Sequence, residues 1–253
     1  QDAQIGYQSA VQVERQLPLV ADSTVDAYVN RIGRRLAANA GGPAFDYRFR
    51  VVNASDINAF ALPGGYVYIN RGILESADSE GEVAGVLAHE IAHVALRHGT
   101  HQLSKAQATS TGLQILGGLL NGKVGPRTAN VLNIAGGIGM NALFLKFTRD
   151  LESQADIRGA QILAASGYDP DDMISFFHEL ERVDRSKRTT WLSHHPAPPD
   201  RIARIEQESR MLGSGSRGDR TGDLGRVQTR LARMGDAPTM AQISRRSAGY
   251  RGR

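Results

Sequence analysis

An α+β fold, mostly helical around a small sheet, is what the sequence predicts, on three observations. Tyr47-Arg48-Phe49-Arg50-Val51 alternates aromatic or aliphatic with charged residues, the period of a half-buried strand. Asn58-Ala59-Phe60-Ala61-Leu62 and Tyr66-Val67-Tyr68-Ile69 flank Pro63-Gly64-Gly65, the pattern of a hairpin. Most of the remaining chain carries apolar residues at helical spacing.

Taken in order, 4–18 and 22–38 read as helices. Val25, Tyr28, Val29, Ile32 and Leu36 form one apolar stripe in the second, and Gly41-Gly42-Pro43 ends it. After the hairpin, Ser79-Glu80-Gly81-Glu82 supplies a cap and first-turn acids for an apolar helix with Gly99 as its stop. Residues 106–145 are rich in Gly, Ala and Asn. Helices follow over 148–166, 171–183 and 200–211, with an extended loop at 194–199. Gly213-Ser214-Gly215-Ser216 reads as a linker, and 227–234 as one more short helix.

The charge is unevenly placed. Residues 1–209 carry 20 basic and 23 acidic side chains, whereas 210–253 carry 10 basic and 3 acidic. The tail therefore holds the basicity, which divides the chain into a domain over 1–211 and a basic, partly flexible segment over 212–253. Such a tail can touch anionic lipid or nucleic acid, or simply stand as a solvated, partly flexible end; no nucleic-acid motif accompanies it, and a peripheral membrane or outer-membrane assembly contact is the partner expected rather than nucleic acid. Cysteine is absent, excluding disulfides, thiolate ligands and a cysteine nucleophile. The longest uncharged run, 128–145, contains three Asn and three Gly, too polar for a membrane span. A start at Gln1 without an initiator Met suggests an exported, periplasmic protein whose signal peptide has been removed.

The chemistry lies in His89-Glu90-Ile91-Ala92-His93. Residues four apart project from one helical face, so His89 and His93 can grip one zinc ion. Glu90, beside them, is placed to hold and deprotonate a water. Charge in the middle of an apolar helix is costly without such a partner. A catalytic zinc needs a third protein ligand. The metzincin spacing fails, because Leu96 and Gly99 stand where Gly and His are required. A carboxylate about twenty residues on is excluded too, since Val94 to Arg149 contains no Asp or Glu. The first acids afterwards are Asp150, Glu152 and Asp156. Glu152 and Asp156 share a face with the small residues Ala155, Gly159 and Ala160, suited to close helix packing. Glu152 then reads as the third ligand, and Asp156 as the acceptor that fixes the tautomer of a ligating imidazole.

Four segments together resemble the zinc metallopeptidases that include the HtpX heat-shock protease and the CAAX prenyl endopeptidases. They are Asn58 to Gly65, His89 to His93 with Arg97-His98-Gly99, Arg149 to Asp156, and His195-Pro196 with Arg201. The chain looks most like the family's soluble, secreted or periplasmic bacterial members. The resemblance implies a gluzincin fold, His89, His93 and Glu152 on one Zn2+, and Glu90 as base. It also brings His195 and Arg201 near the zinc as candidate oxyanion donors, with Arg201 equally suited to pairing with a carboxylate. His194 or His195 in the open zinc position would keep the enzyme latent. Asn58, Ala59 and Phe60 would form a substrate-binding edge strand, although Phe60 is as well suited to the core.

The leading expectation is a zinc endopeptidase that cleaves unfolded or misfolded polypeptides. A weakly active chaperone or assembly factor on the same fold is the alternative. An aminopeptidase would need an acidic anchor for a substrate amine, for which Asp56 is the only nearby acid.

Overall fold

The computed structural model describes residues 2–105, 147–184, 191, 195, 200–213 and 223–250. The segment 106–145, singled out above as Gly-rich, and most of the 194–199 loop, including His194, lie outside the described residues.

Helices α1 (Asp2–Gln16) and α2 (Ser23–Ala37) come first. Asp22 caps α2 by accepting from the backbone N–H groups of Thr24 and Val25 at 2.9 and 3.1 Å. Strands β1 (Arg48–Val52), β2 (Ala59–Leu62) and β3 (Tyr66–Asn70) form a sheet in the order β1-β3-β2. β1 runs parallel to β3, and β2 antiparallel to it. The turn between β2 and β3 needs glycine, because Gly64 and Gly65 have φ of 79° and 102°.

Side-chain alternation puts the two faces of the sheet into different cores. Phe49, Val51, Ala59, Val67 and Ile69 face the main core, shared with α2 and the helix α4 (Glu80–Ala95). Phe60, Leu62 and Tyr68 face the other way, against Ala10 and Val13 of α1. Between β3 and α4 lies the short α3 (Arg71–Ser76). Three further helices complete the main body: α5 (Arg149–Ala165), α6 (Asp171–Asp184) and α7 (Arg201–Leu212).

One helix ends elsewhere than the sequence reading puts it. The helix carrying the two histidines stops at Ala95, not Gly99, because Arg97 takes the left-handed conformation (φ 58°) and a new helix occupies 98–105. The basic C-terminal part also docks, through helices α8 (Asp223–Ala232) and α9 (Met240–Tyr250). Leu224, Val227 and Leu231 of α8, spaced along one face, are buried in the main core. Arg71 of α3 donates to the carbonyls of Leu231 and Gly235 at 2.8 and 2.7 Å, closing the end of that helix. Arg230 pairs with Asp22 at 2.7 Å. None of the described helices is long and apolar enough to cross a membrane.

Candidate metal centre

All sixteen residues of α4 are buried. A helix enclosed on every side shows no polar face, and its two histidines and Glu90 must therefore find partners inside the protein. Ser79 caps the helix, its Oγ accepting from Glu82 N–H at 3.2 Å. Glu80, fully buried, anchors the first turn through two bonds from Arg31 (3.1 and 2.7 Å) and one from the Tyr168 hydroxyl (2.8 Å).

Helix α5 crosses α4 at very short range. A Cβ added at Gly159 would stand 3.3 Å from the backbone nitrogen of His89, and Ala155 and Ala160 are fully buried. Small residues at this crossing let Glu152 reach the imidazoles of α4. The Nε2 atoms of His89 and His93 are 3.0 Å apart. Glu152 Oε2 lies 3.4 Å from His89 Nε2, and Oε1 lies 3.5 Å from His93 Nε2. His195 joins them, its Nδ1 at 3.2 Å from His89 Nε2 and 3.0 Å from Glu152 Oε1. One donor atom from each of His89, His93, Glu152 and His195 falls within a 4.8 Å cluster, all four residues buried.

This set suits a metal ion. Ligands of a tetrahedral zinc at ordinary bond lengths stand about 3.4 Å from one another, close to the separations observed. Glu152 Oε2 is buried and accepts no hydrogen bond from any described residue. Glu90, Glu152 and Asp156 meet Arg201 around the imidazoles, a formal charge of −2 that a divalent cation balances.

The carboxylates hold the imidazoles in distinct states. Burial disfavours a charged His89, but Asp156 and Glu152 outweigh it and raise its pKa to about 9. Asp156 Oδ1 faces His89 Nδ1 at 3.0 Å. Burial, then the charge of His89, pushes His93 far below the usual histidine range. Burial alone would raise Glu152, yet the His195 and His89 contacts hold it well below the usual carboxylate range.

Arg201, only 2% exposed, donates to both oxygens of Asp156 at 2.7 and 2.6 Å. Its third nitrogen is 3.2 Å from Glu152 Oε2 and 3.4 Å from the carbonyl of His195. The guanidinium lies over the Phe177 ring at 4.5 Å. Its position is thus that of a carboxylate partner beside the site. Glu90 Oε1 accepts from Trp191 Nε1–H at 3.3 Å and is 3.4 Å from His195 Nε2.

Asn58 to Phe60 lead into β2, which packs against α4, the helix that carries His89 and His93. β2 is an edge strand. Asn58 O accepts from Asn70 N, and the alternation of an antiparallel ladder then turns the backbone groups of Ala59 away from β3, although Ala59 itself is only 1% exposed. The Phe60 side chain points away, stacked on Tyr68 with centroids 4.9 Å apart. Asp56 caps α9 by accepting from Met240 N–H, so it is already engaged.

Three neighbours of the site were not foreseen. Trp191 stacks on His195 (4.6 Å, 16° between planes), and Phe147 on His93 (4.0 Å, 26°). His98 Nδ1 lies 3.0 Å from His93 Nδ1. Trp191 is the only Trp and lies four residues before His195, which is a usable signal. His98 stands in one of the four segments of the resemblance, which gives it no role, and nothing in the sequence marks Phe147.

Two imidazoles and a carboxylate from crossing helices, with a second carboxylate alongside, are a donor set that suits a zinc metallopeptidase. The chain belongs to peptidase family M48, whose pattern matches residues 23–209, and that family uses zinc. The HtpX-type resemblance read from the sequence agrees with this placement. A beta-barrel assembly-enhancing protease of Yersinia pestis is 36% identical over 197 residues, 76% of this chain and 40% of its own length. The mitochondrial metalloendopeptidase OMA1 of Schizosaccharomyces pombe is 29% identical over 77% of this chain and 55% of its own. The metalloprotease LoiP of Escherichia coli (strain K12) is 26% identical over 73% and 71%. The chain thus spans less than half the length of the barrel-assembly proteases it matches.

Proposed function

We propose that the chain is a zinc endopeptidase in which His89, His93 and Glu152 hold the metal and Glu90 is the general base. The observation that carries this is the buried donor cluster with Glu90 one residue from His89. Zinc, when bound, supplies Lewis acidity and makes a water acidic enough to react near neutral pH. Glu90 takes a proton from the attacking water and delivers it to the departing amine. Trp191 Nε1–H orients the Glu90 carboxylate. Asp156 holds His89 through Nδ1, and Arg201 holds Asp156.

An extended peptide that adds to β2, the last strand in the sheet order, by backbone pairing would be selected only loosely by side chain. Unfolded or misfolded segments are the substrates this favours. Export to the periplasm and work on outer-membrane assembly are the setting proposed, supported by the names of the barrel-assembly relatives. The test is cleavage of an unfolded protein such as casein. Cleavage is expected with zinc, lost on chelation and restored by zinc. No cleavage by zinc-loaded protein overturns the reading, unless the second one below accounts for it.

That second reading is latency, favoured because His195 Nδ1 lies inside the donor cluster. His195 there occupies the position the attacking water needs. His195→Ala is then expected to raise the rate. A fall instead assigns His195 as the oxyanion donor, and an unchanged rate removes it from both roles.

A further inference from the structure

We propose that His98 is a positioning residue that fixes the ring and tautomer of His93. This rests on the assignment of His93 as a zinc ligand. His93 turns Nε2 toward Glu152 and the donor cluster, so its proton must sit on Nδ1 when Nε2 binds metal. That Nδ1 faces His98 Nδ1 at 3.0 Å. His98 is itself 2% exposed, and its Nε2 is 3.4 Å from Gln154 Oε1.

A single direction of donation satisfies every atom. His93 Nδ1–H donates to the lone pair of His98 Nδ1. His98 Nε2–H donates to the Gln154 oxygen, on the same helix as Glu152. The opposite tautomer of His98 would set an N–H against the N–H of His93 and a lone pair against an amide oxygen. His98 therefore does for His93 what Asp156 does for His89, and ties α4 to α5 a second time.

The fold goes out of its way to place this ring. On a continuous helix, position i+5 from His93 lies about 140° around the axis, away from its partner. Arg97 breaks the helix with φ 58°, a conformation rare outside glycine, and the chain turns back so that His98 opens the next helix. Arg97 is held there from α1, donating to both oxygens of Asp2 at 2.7 and 2.8 Å. Asp2 is buried while the Arg97 side chain is 43% exposed, so the clamp sits at the surface of the packed structure.

The test is zinc affinity of the full chain, by chelator competition, with the thermal midpoint of each metal-free protein measured alongside. His98→Phe keeps a ring and loses the acceptor; zinc affinity is expected to fall about 10- to 100-fold. His98→Asn restores an oxygen acceptor near the Nδ1 position and is expected to recover most of that loss. The zinc-loaded wild type should also show an exchange-protected imidazole proton on His93 Nδ1, absent in His98→Phe. Wild-type affinity in His98→Phe, equal losses in the two variants, or a His93 proton on Nε2 would each overturn the proposal. Failure of the wild type to bind zinc would instead overturn the ligand assignment beneath it. Should His98→Phe not fold, His98→Asn and the wild-type imidazole proton decide the matter.

Discussion

Replacing Arg201 by Met should destabilise the metal-free protein more than most single substitutions. The guanidinium is 2% exposed and makes two bonds of 2.6 and 2.7 Å to Asp156, whose side chain is 1% exposed. It also faces Glu152 at 3.2 Å. Methionine fills much of the volume between Phe177 and Trp191 but leaves both carboxylates without their cation. With His89 protonated in the metal-free protein, the formal charge of the site goes from −1 to −2. Breaking a buried pair from one side costs about 3–5 kcal/mol, largely for the charge left behind. For a domain of this size each kcal/mol moves the midpoint by about 2–4 °C, so a drop of roughly 6–20 °C is expected. Thermal unfolding with zinc removed is the assay. Asp156→Asn together with Arg201→Met removes the stranded charge and should recover about half the loss or more. A drop below about 4 °C for the single variant, or no recovery in the double, would refute the reasoning.

Other expectations follow from the same geometry. In Gly159→Ala, the new Cβ meets Met173 Cε at 2.7 Å and His89 N at 3.3 Å. Met173 can move but the backbone of α4 cannot, so a loss of about 1–3 kcal/mol is expected, with weakened zinc binding; unaltered stability and affinity would speak against the close crossing. His89, its pKa raised to about 9, must give up a proton to bind zinc. Calorimetry at pH 7 in buffers of differing ionisation heat should find about one proton released per zinc, and apparent affinity should rise with pH until about 9 and then level. Without metal the sign is reversed: protonated His89 stabilises the fold fully below its unfolded pKa of 6.5, and that contribution fades as pH climbs through about 9.

How much of this could be read in the sequence differs from residue to residue. His89, Glu90 and His93 announce themselves because the helical period alone puts them together. Glu152 is legible through an absence: the long stretch without acids leaves few candidates. The sheet follows from period-two alternation, which the two cores reproduce residue by residue. The partners of the site are harder to read. Arg201 meets Asp156 across 45 residues, and Trp191 meets Glu90 across 101, distances over which no local pattern speaks. His98 is hidden for another reason. Its position depends on a left-handed arginine, and only a glycine or asparagine would have advertised that conformation. α9 escapes notice because, among its residues of described burial, Ile243 alone lies in the buried core.

The central claim, that zinc on His89, His93 and Glu152 works with Glu90 to hydrolyse peptide bonds, is tested most directly by Glu90→Gln. The variant keeps the shape of Glu90 and the ligands, but cannot take a proton. Zinc content and casein cleavage are measured on wild type and variant side by side, each with and without His195→Ala, so that neither latency nor loss of an oxyanion donor can mask the result. One zinc in both and cleavage by the Glu90 form alone is the expected result. Equal cleavage by both forms, or none by either with zinc bound, would contradict the account.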